Sequence, residues 1–250
     1  MPLPRSLAAL LVGALLATTA ACSDGLDLPE SATTTEPTIQ PTTTSTTLPR
    51  EGIPLVVVEQ GATSFADPYE RGQRISGYGV VLQNPNEGLL AAGVQVTTNI
   101  LAEDGSLLLT DHALLNGIMP GQRMAVGRTI VEQIAPPARL EVSVNVAGWL
   151  APAAAGQLAA QEAITTSEPY GGAVTRFAVR SGWPADEEGV DVVAVYRDDA
   201  GRVLSAEATT VDLLPAGDIV VGQIRLLAPI PGLAATEVLV GRGFAAQSTG

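Results

Sequence analysis

Histidine and cysteine, which often act as catalytic bases, nucleophiles or zinc ligands, each occur once in the 250 residues. The single histidine, His112, lies in the segment TDHALL, and the sequence contains no G-x-S-x-G motif. A serine or cysteine nucleophile needs a neighbouring base, and zinc is usually held by several Cys and His ligands. We therefore expect no catalytic residue, no metal ligand and no cofactor, and a protein that is not an enzyme.

Carboxylates cluster in the second half of the chain, at Asp186, Glu187, Glu188 and Asp191, followed by Asp198 and Asp199. Calcium prefers carboxylate and carbonyl oxygens, and paired carboxylates perform glycoside hydrolysis. These acids leave open a Ca-dependent or hydrolytic envelope enzyme as the alternative interpretation. However, no EF-hand spacing is present, and Asp198 and Asp199 fall in a predicted turn, where aspartate is locally favoured. We favour solvated loop acids.

The only cysteine, Cys22, stands where an apolar segment gives way to a polar one. Arg5 precedes an apolar stretch from Leu7 to Leu16, and small residues follow from Ala17 to Ala21. This order is typical of a secretory signal, and the apolar stretch is shorter than the roughly 20 residues of a transmembrane helix. The sequence therefore predicts export.

The residues up to Cys22 resemble the lipobox of bacterial lipoproteins, in which small residues precede a cysteine. The resemblance implies that segment 1–21 is a signal peptide, that the Cys22 thiol carries a diacylglyceryl group, and that Cys22 becomes the mature N-terminus. Two or more acyl chains hold a protein stably on a membrane, at about 0.8 kcal/mol for each buried CH₂. We expect lipid anchorage at the outer face of the bacterial cytoplasmic membrane. A plain secretory signal and a retained N-terminal helix are the alternatives.

Segment 22–52 is rich in threonine and proline and has almost no large apolar residue. Such a segment cannot bury enough apolar surface to offset the loss of chain entropy, so we expect a disordered stalk. Its threonines are candidates for O-linked glycosylation. The net charge of the chain is −13, and this acidity makes nucleic acid an unexpected partner.

The remaining sequence contains two copies of one pattern, 96 residues apart. GVQVTTNILAEDGSLLL from Gly93 aligns without a gap with GVDVVAVYRDDAGRVLS from Gly189. Apolar and polar residues alternate in both copies, which predicts half-buried strands, and Gly105 and Gly201 are placed for tight turns. We predict an all-β protein of two tandem immunoglobulin-like sandwiches, at 53–150 and 158–246. A short helix is predicted from Ala153 between them.

The second copy resembles the FxLYD domain, a small β-sandwich of secreted and membrane-tethered bacterial proteins. The matching residues are Val192, Ala194, Tyr196, Asp198, Gly201, Val203 and Leu204, followed by Pro215 and Gly217. The first copy departs from the pattern, with Ile100 for the aromatic residue and Ala102 for the aspartate. The resemblance implies no catalytic residue.

A binding or scaffolding role at the envelope is the function we expect, with an envelope protein or wall component as the partner. The candidate contact residues are Trp183, Asp186, Glu187 and Glu188 in the second copy. An aromatic residue beside carboxylates offers an apolar anchor with a charged rim, which suits a partner with basic groups. Trp183 could instead pack on one end of the sandwich core. Membership of an envelope complex as an accessory subunit is a further alternative.

Overall fold

The computed structural model describes residues 51–67, 70–71, 73–132, 135–152, 157–168 and 172–242. Cys22, the signal and the stalk up to residue 50 lie outside these residues. The described residues form twelve strands: β1 Val56–Ala66, β2 Arg74–Gln83, β3 Leu90–Leu101, β4 Leu107–Ile118, β5 Arg123–Glu132, β6 Arg139–Leu150, β7 Leu158–Ser167, β8 Ala173–Ser181, β9 Glu187–Arg197, β10 Val203–Leu214, β11 Ile219–Leu226 and β12 Ala235–Gly241. Within the described part of the chain, no helix has the length and apolar character needed to span a membrane.

The twelve strands form four antiparallel three-stranded sheets, two for each copy of the repeat. The first sandwich consists of sheets β1-β2-β5 and β4-β3-β6, and the second consists of β7-β8-β11 and β10-β9-β12. The six strands of the second copy therefore pair in the same order as those of the first. The predicted all-β fold of two tandem immunoglobulin-like sandwiches is confirmed.

The predicted turn glycines close equivalent hairpins in the two copies. Gly105 and Gly201 have positive φ angles of 83° and 78°, which glycine adopts without steric cost. In the second hairpin, the Asp198 carboxylate accepts hydrogen bonds from the backbone N–H groups of Ala200 and Arg202, at 3.0 and 2.8 Å. Ala102 has no such acceptor, and Asp104 instead accepts from Ser106 N at 2.9 Å. The two sequences thus reach one turn geometry through different acids.

The helix predicted from Ala153 is wrong over its described part, because Leu158–Ser167 is strand β7. Alanine, glutamine and glutamate are good helix formers, but intrinsic propensity is a weak constraint that tertiary pairing overrides. Strand β7 pairs along β8, and a register shift between Ala160 and Ala163 accommodates the intervening polar residues. Residues 153–156 of the predicted helix lie outside the described residues.

Strand β2 is covered by sheets on both of its faces. Its eight residues from Ile75 to Leu82 are all buried, a pattern that requires cover on both sides. Tyr78 reaches Asp111 of β4 in its own sandwich, whereas Gly77 and Gly79 face β10 of the second sandwich. The apolar core around Tyr78 accordingly includes Val193 and Val195 of β9 and Val203 and Ala206 of β10. The core of the first sandwich therefore extends into the second, which also has a core of its own around Phe177 and Tyr196.

Four glycines line the surface of sheet β1-β2-β5 that meets the second sandwich, and we call this surface the glycine face: Gly61, Gly77, Gly79 and Gly127. Gly61, Gly79 and Gly127 are direct neighbours across the three strands. A Cβ atom added to Gly79 would lie 2.9 Å from Val203 Cγ1 and 3.1 Å from Ala206 Cβ. Glycine in a strand often marks such a close approach of another backbone. The missing side chains let the two sheets approach closely.

An ion-pair ring joins the same two sheets at one side of the glycine face. It consists of Glu59 on β1, Arg123 on β5, Arg197 on β9 and Glu237 on β12, and each arginine contacts both glutamates. The bonds from Arg123 and Arg197 to Glu237 measure 3.2 and 2.6 Å. The Arg197 side chain is 13% exposed, so solvent screens its pairs only partly. The ring therefore connects one sandwich to the other.

Candidate functional site

Trp183, the predicted aromatic contact residue, is buried in the loop between β8 and β9. It is 4% exposed, and the Arg242 guanidinium lies 4.2 Å from the centre of its ring. Glu187 is 2% exposed and accepts a hydrogen bond from Arg242 Nε at 2.8 Å. The three side chains form a closed stack with an ion pair. A buried indole offers little contact area to a partner, and the side chain that covers the Trp183 ring is Arg242.

Asp186 and Glu188, the other two predicted contact residues, are exposed. The Asp186 carboxylate accepts a hydrogen bond from the Ala216 backbone N–H at 2.9 Å, which ties its loop to the turn between β10 and β11. The four predicted residues therefore do not form one exposed surface with an aromatic centre. The sequence reasoning placed Glu187 at a charged rim, whereas the structure places it inside.

The other residues considered for chemistry lie apart from one another. His112 is exposed on β4, with its Nδ1 3.1 Å from Thr97 Oγ1. Asp191 is 3.5 Å from Asn116 Nδ2, and Asp198 is engaged in its turn. Among the described residues, no three His, Cys, Asp or Glu side chains come together as a metal ligand set.

Two carboxylates near the boundary between the sandwiches have altered proton affinity. Burial raises the pKa of Glu207 above its ordinary value, although a hydrogen bond from Thr129 N at 3.0 Å acts in the opposite direction. Burial also raises the pKa of Asp191. A raised pKa in the folded state means that the folded protein binds protons more readily than the unfolded chain. Their contribution to stability is therefore complete below the unfolded pKa and is lost as pH rises through the folded pKa.

We expect Glu207→Gln to stabilise the protein at pH 8, because glutamine keeps an acceptor for Thr129 N and removes the buried charge. The advantage over the wild type should shrink as pH falls toward 4, where Glu207 becomes protonated. Urea unfolding midpoints measured across this pH range check the expectation. Glu103→Gln, at an exposed position, is the matched control and should show no such trend. An advantage that is constant with pH would contradict the assignment.

The outer face of sheet β7-β8-β11 combines exposed arginines with exposed aliphatic residues. We call it the arginine face: Arg176 and Arg180 on β8, Ile219, Val221, Gln223 and Arg225 on β11, and Ile164 on β7. Val221 is 73% exposed and Ile164 is 59% exposed. Alternation along β8 explains why the arginines are exposed, since Phe177 and Val179 enter the core while their neighbours point outward.

The arginine face occupies the place in the second copy that the glycine face occupies in the first. Gly127 corresponds to Gln223 at the 96-residue offset, and their pairing partners on the central strands are Gly79 and Arg176. Gly79 allows another sheet to stack closely, whereas the long side chain of Arg176 prevents the same close approach. One face is therefore covered by the second sandwich, and the other is open to solvent.

The two central arginines of the arginine face carry uncompensated charge. Neither Arg176 nor Arg180 forms an ion pair with a described residue, and Arg225 lies 3.8 Å from Glu168. Within a chain of net charge −13, this is a local concentration of positive charge next to exposed aliphatic side chains. Sequence reasoning did not identify it, although in the segment RFAVR the two arginines stand four residues apart, which places them on the same face of a strand.

A groove of about 520 Å³ borders this face between β7 and β12. Apolar residues, among them Ile164, Ile230 and Leu233, line most of it. The Thr165 hydroxyl lies 2.7 Å from the Thr236 hydroxyl and 2.8 Å from that of Thr175, so these three side chains satisfy one another. The groove is lined by no ionisable side chain, and its surface is polar and apolar in similar measure.

No protein-family model and no curated protein matches the sequence. Among solved structures, the chain is similar to the N-terminal CBM22-1-CBM22-2 tandem domain from Paenibacillus barcinonensis Xyn10C, at 10% sequence identity. The alignment covers 78% of this chain and 87% of that chain, with a TM-score of 0.16. This value is too low to transfer any property. The resemblances to a lipoprotein signal and to the FxLYD domain stay predictions.

Proposed function

We propose that this protein is a lipid-anchored binding or scaffolding protein at the outer face of the bacterial cytoplasmic membrane. The observation that supports a binding role is the arginine face, which exposes aliphatic side chains beside unpaired guanidinium groups. Protein interfaces are enriched in arginine, with apolar residues at their centre. The proposed partner is an envelope protein or a wall component, and the face that meets it lies on the second sandwich.

The proposed lipid on Cys22 and the proposed stalk suit this role. The 28 residues from Ser23 to Arg50 would reach roughly 85 Å as a polyproline II helix and about 30 Å as a flexible coil. Either distance lifts the paired sandwiches off the bilayer, where they can meet a macromolecule. The strand order places the arginine face on the outermost sheet of the second sandwich, the copy that follows the stalk-proximal copy in the chain.

We expect Cys22→Ser to abolish anchorage, because serine has no thiol to form the thioether bond to the lipid. The variant should leave the membrane fraction or retain its uncleaved signal, as judged by fractionation, detergent partitioning and the intact mass. Ser23→Ala, one residue away, should remain lipidated and membrane-bound. A Cys22→Ser protein that stays in the detergent phase at its mature size would overturn the lipid anchor.

A further inference from the structure

The arginine face has the alternating chemistry of a docking surface. Along β8, Arg176, Ala178 and Arg180 point outward in succession, and Val221 of β11 is the direct neighbour of Ala178. On this strand, an apolar patch therefore lies between two positive charges. With about 3.3 Å per residue, the two arginine backbones lie about 13 Å apart.

The positive charge of the arginine face indicates the charge of its partner. The chain carries 26 acidic and 13 basic residues, yet the two central arginines of this face form no ion pair with a carboxylate of the described residues. Guanidinium groups form their strongest hydrogen bonds with carboxylates and phosphates, often through two parallel bonds. The partner that complements them is therefore anionic, in contrast to the basic partner expected for the Trp183 loop.

The exposed aliphatic side chains distinguish between anionic partners. Val221 and Ile164 are 73% and 59% exposed in the rows next to the arginines, and only an apolar counterpart removes them from water. A polyanionic glycan has little apolar surface of this kind. A single sheet face inserts few side chains into a bilayer. A protein surface supplies both carboxylates and apolar groups.

We propose that the arginine face docks an acidic protein segment in which an apolar side chain stands between two carboxylates about 13 Å apart. An extended strand of the pattern Glu-x-Leu-x-Glu has this spacing, because its residues at i, i+2 and i+4 point to one side. The carboxylates pair with Arg176 and Arg180, and the leucine covers Ala178 and Val221. This inference rests on the proposed binding function and names the chemistry of its partner.

The test uses the purified protein and a twelve-residue peptide of three Glu-Ser-Leu-Ser repeats, titrated by NMR. Two comparison peptides replace either every glutamate with glutamine or every leucine with serine. We expect the acidic apolar peptide to bind, and its dissociation constant to rise at least tenfold in the double variant Arg176→Gln/Arg180→Gln. Binding should also weaken from 50 to 500 mM salt, and Val221→Ser should weaken it several-fold.

The matched control is Arg139→Gln/Arg202→Gln, which removes two exposed arginines from other surfaces and should change binding less than twofold. Equal binding of the glutamine peptide, or an unchanged dissociation constant in Arg176→Gln/Arg180→Gln, would overturn the inference. So would arginine-dependent binding to phosphatidylglycerol vesicles or to polyglutamate without preference for the peptide. Self-association that the double variant removes would identify a second copy of this chain as the occupant instead.

A cellular experiment separates this inference from the proposed function. A photoreactive residue at Val221 is compared with one at Leu114, which is 65% exposed on β4. Cross-links from Val221 that persist in Arg176→Gln/Arg180→Gln would rule out an acidic partner but would still support a binding role for the arginine face. If Val221 gives no specific cross-links and the acidic peptide does not bind either, the binding role of the arginine face would itself be ruled out.

Discussion

Gly79→Val is expected to destabilise the protein by about 3 kcal/mol or more, since it places a branched side chain in a fully packed contact. The first added atom would already lie 2.9 Å from Val203 Cγ1 and 3.1 Å from the Ala206 backbone nitrogen. Gly79 lies on the central strand, with sheets on both sides, so its neighbours cannot move aside without opening the core of the first sandwich. Chemical denaturation gives the change in free energy of unfolding.

Gly148→Val is the matched control for this prediction. Gly148 also lies in a strand, but an added Cβ there meets no atom within 4 Å. Valine suits strands better than glycine, so the control should be neutral or slightly stabilising. Val203→Ala removes one of the clashing atoms, so its combination with Gly79→Val should lose less stability than the two single variants added together. Equal stability of Gly79→Val and the wild type would show that the two sandwiches do not pack through the glycine face.

Arg197→Ala should lower the free energy of unfolding by about 2 kcal/mol. This loss is smaller than that expected on breaking a fully buried ion pair, because Glu59 and Glu237 are partly exposed. The substitution leaves the two glutamates near each other with only Arg123 to neutralise them. Urea denaturation at low salt measures the loss. At 1 M salt the loss should diminish, because screening weakens both the lost attraction and the new repulsion.

Arg139→Ala provides the comparison, because Arg139 forms one exposed pair with Glu141 at 2.7 Å. Such an exposed pair contributes at most about 1 kcal/mol to the free energy of unfolding. We also expect Arg123→Ala and Arg197→Ala to be non-additive, since both arginines contact the same two carboxylates. Additive losses would mean that the four residues do not act as one ring between the sandwiches.

Together, the glycine face and the ion-pair ring imply that the two copies unfold as one unit. Val193 and Val195 of the second copy are buried in the core of the first, so separating the sandwiches would expose them to water. A single body holds the arginine face at a defined orientation. For a docking surface this rigidity reduces the entropy lost on binding.

The sequence by itself determined the fold class and the local structure of the two repeated segments. Alternation in segments such as GVQVTTN depends only on each residue and its near neighbours, so it predicted strands β3 and β9. The turns at Gly105 and Gly201 followed from the need for positive φ. The repeat predicted two similar sandwiches, and the structure shows two sandwiches with one strand order.

Only the tertiary structure decided which faces are covered. Gly79 and Arg176 occupy equivalent strand positions, yet their roles became visible only when β10 was found against the glycine face. Trp183 does lie in a loop, but Arg242, about 60 residues later in the chain, covers its ring and removes it from solvent. Strand β7 has a helix-favouring composition, and its pairing with β8 overrides it. Each outcome depends on contacts between residues distant in sequence, whose energies exceed the local preferences that a sequence pattern records.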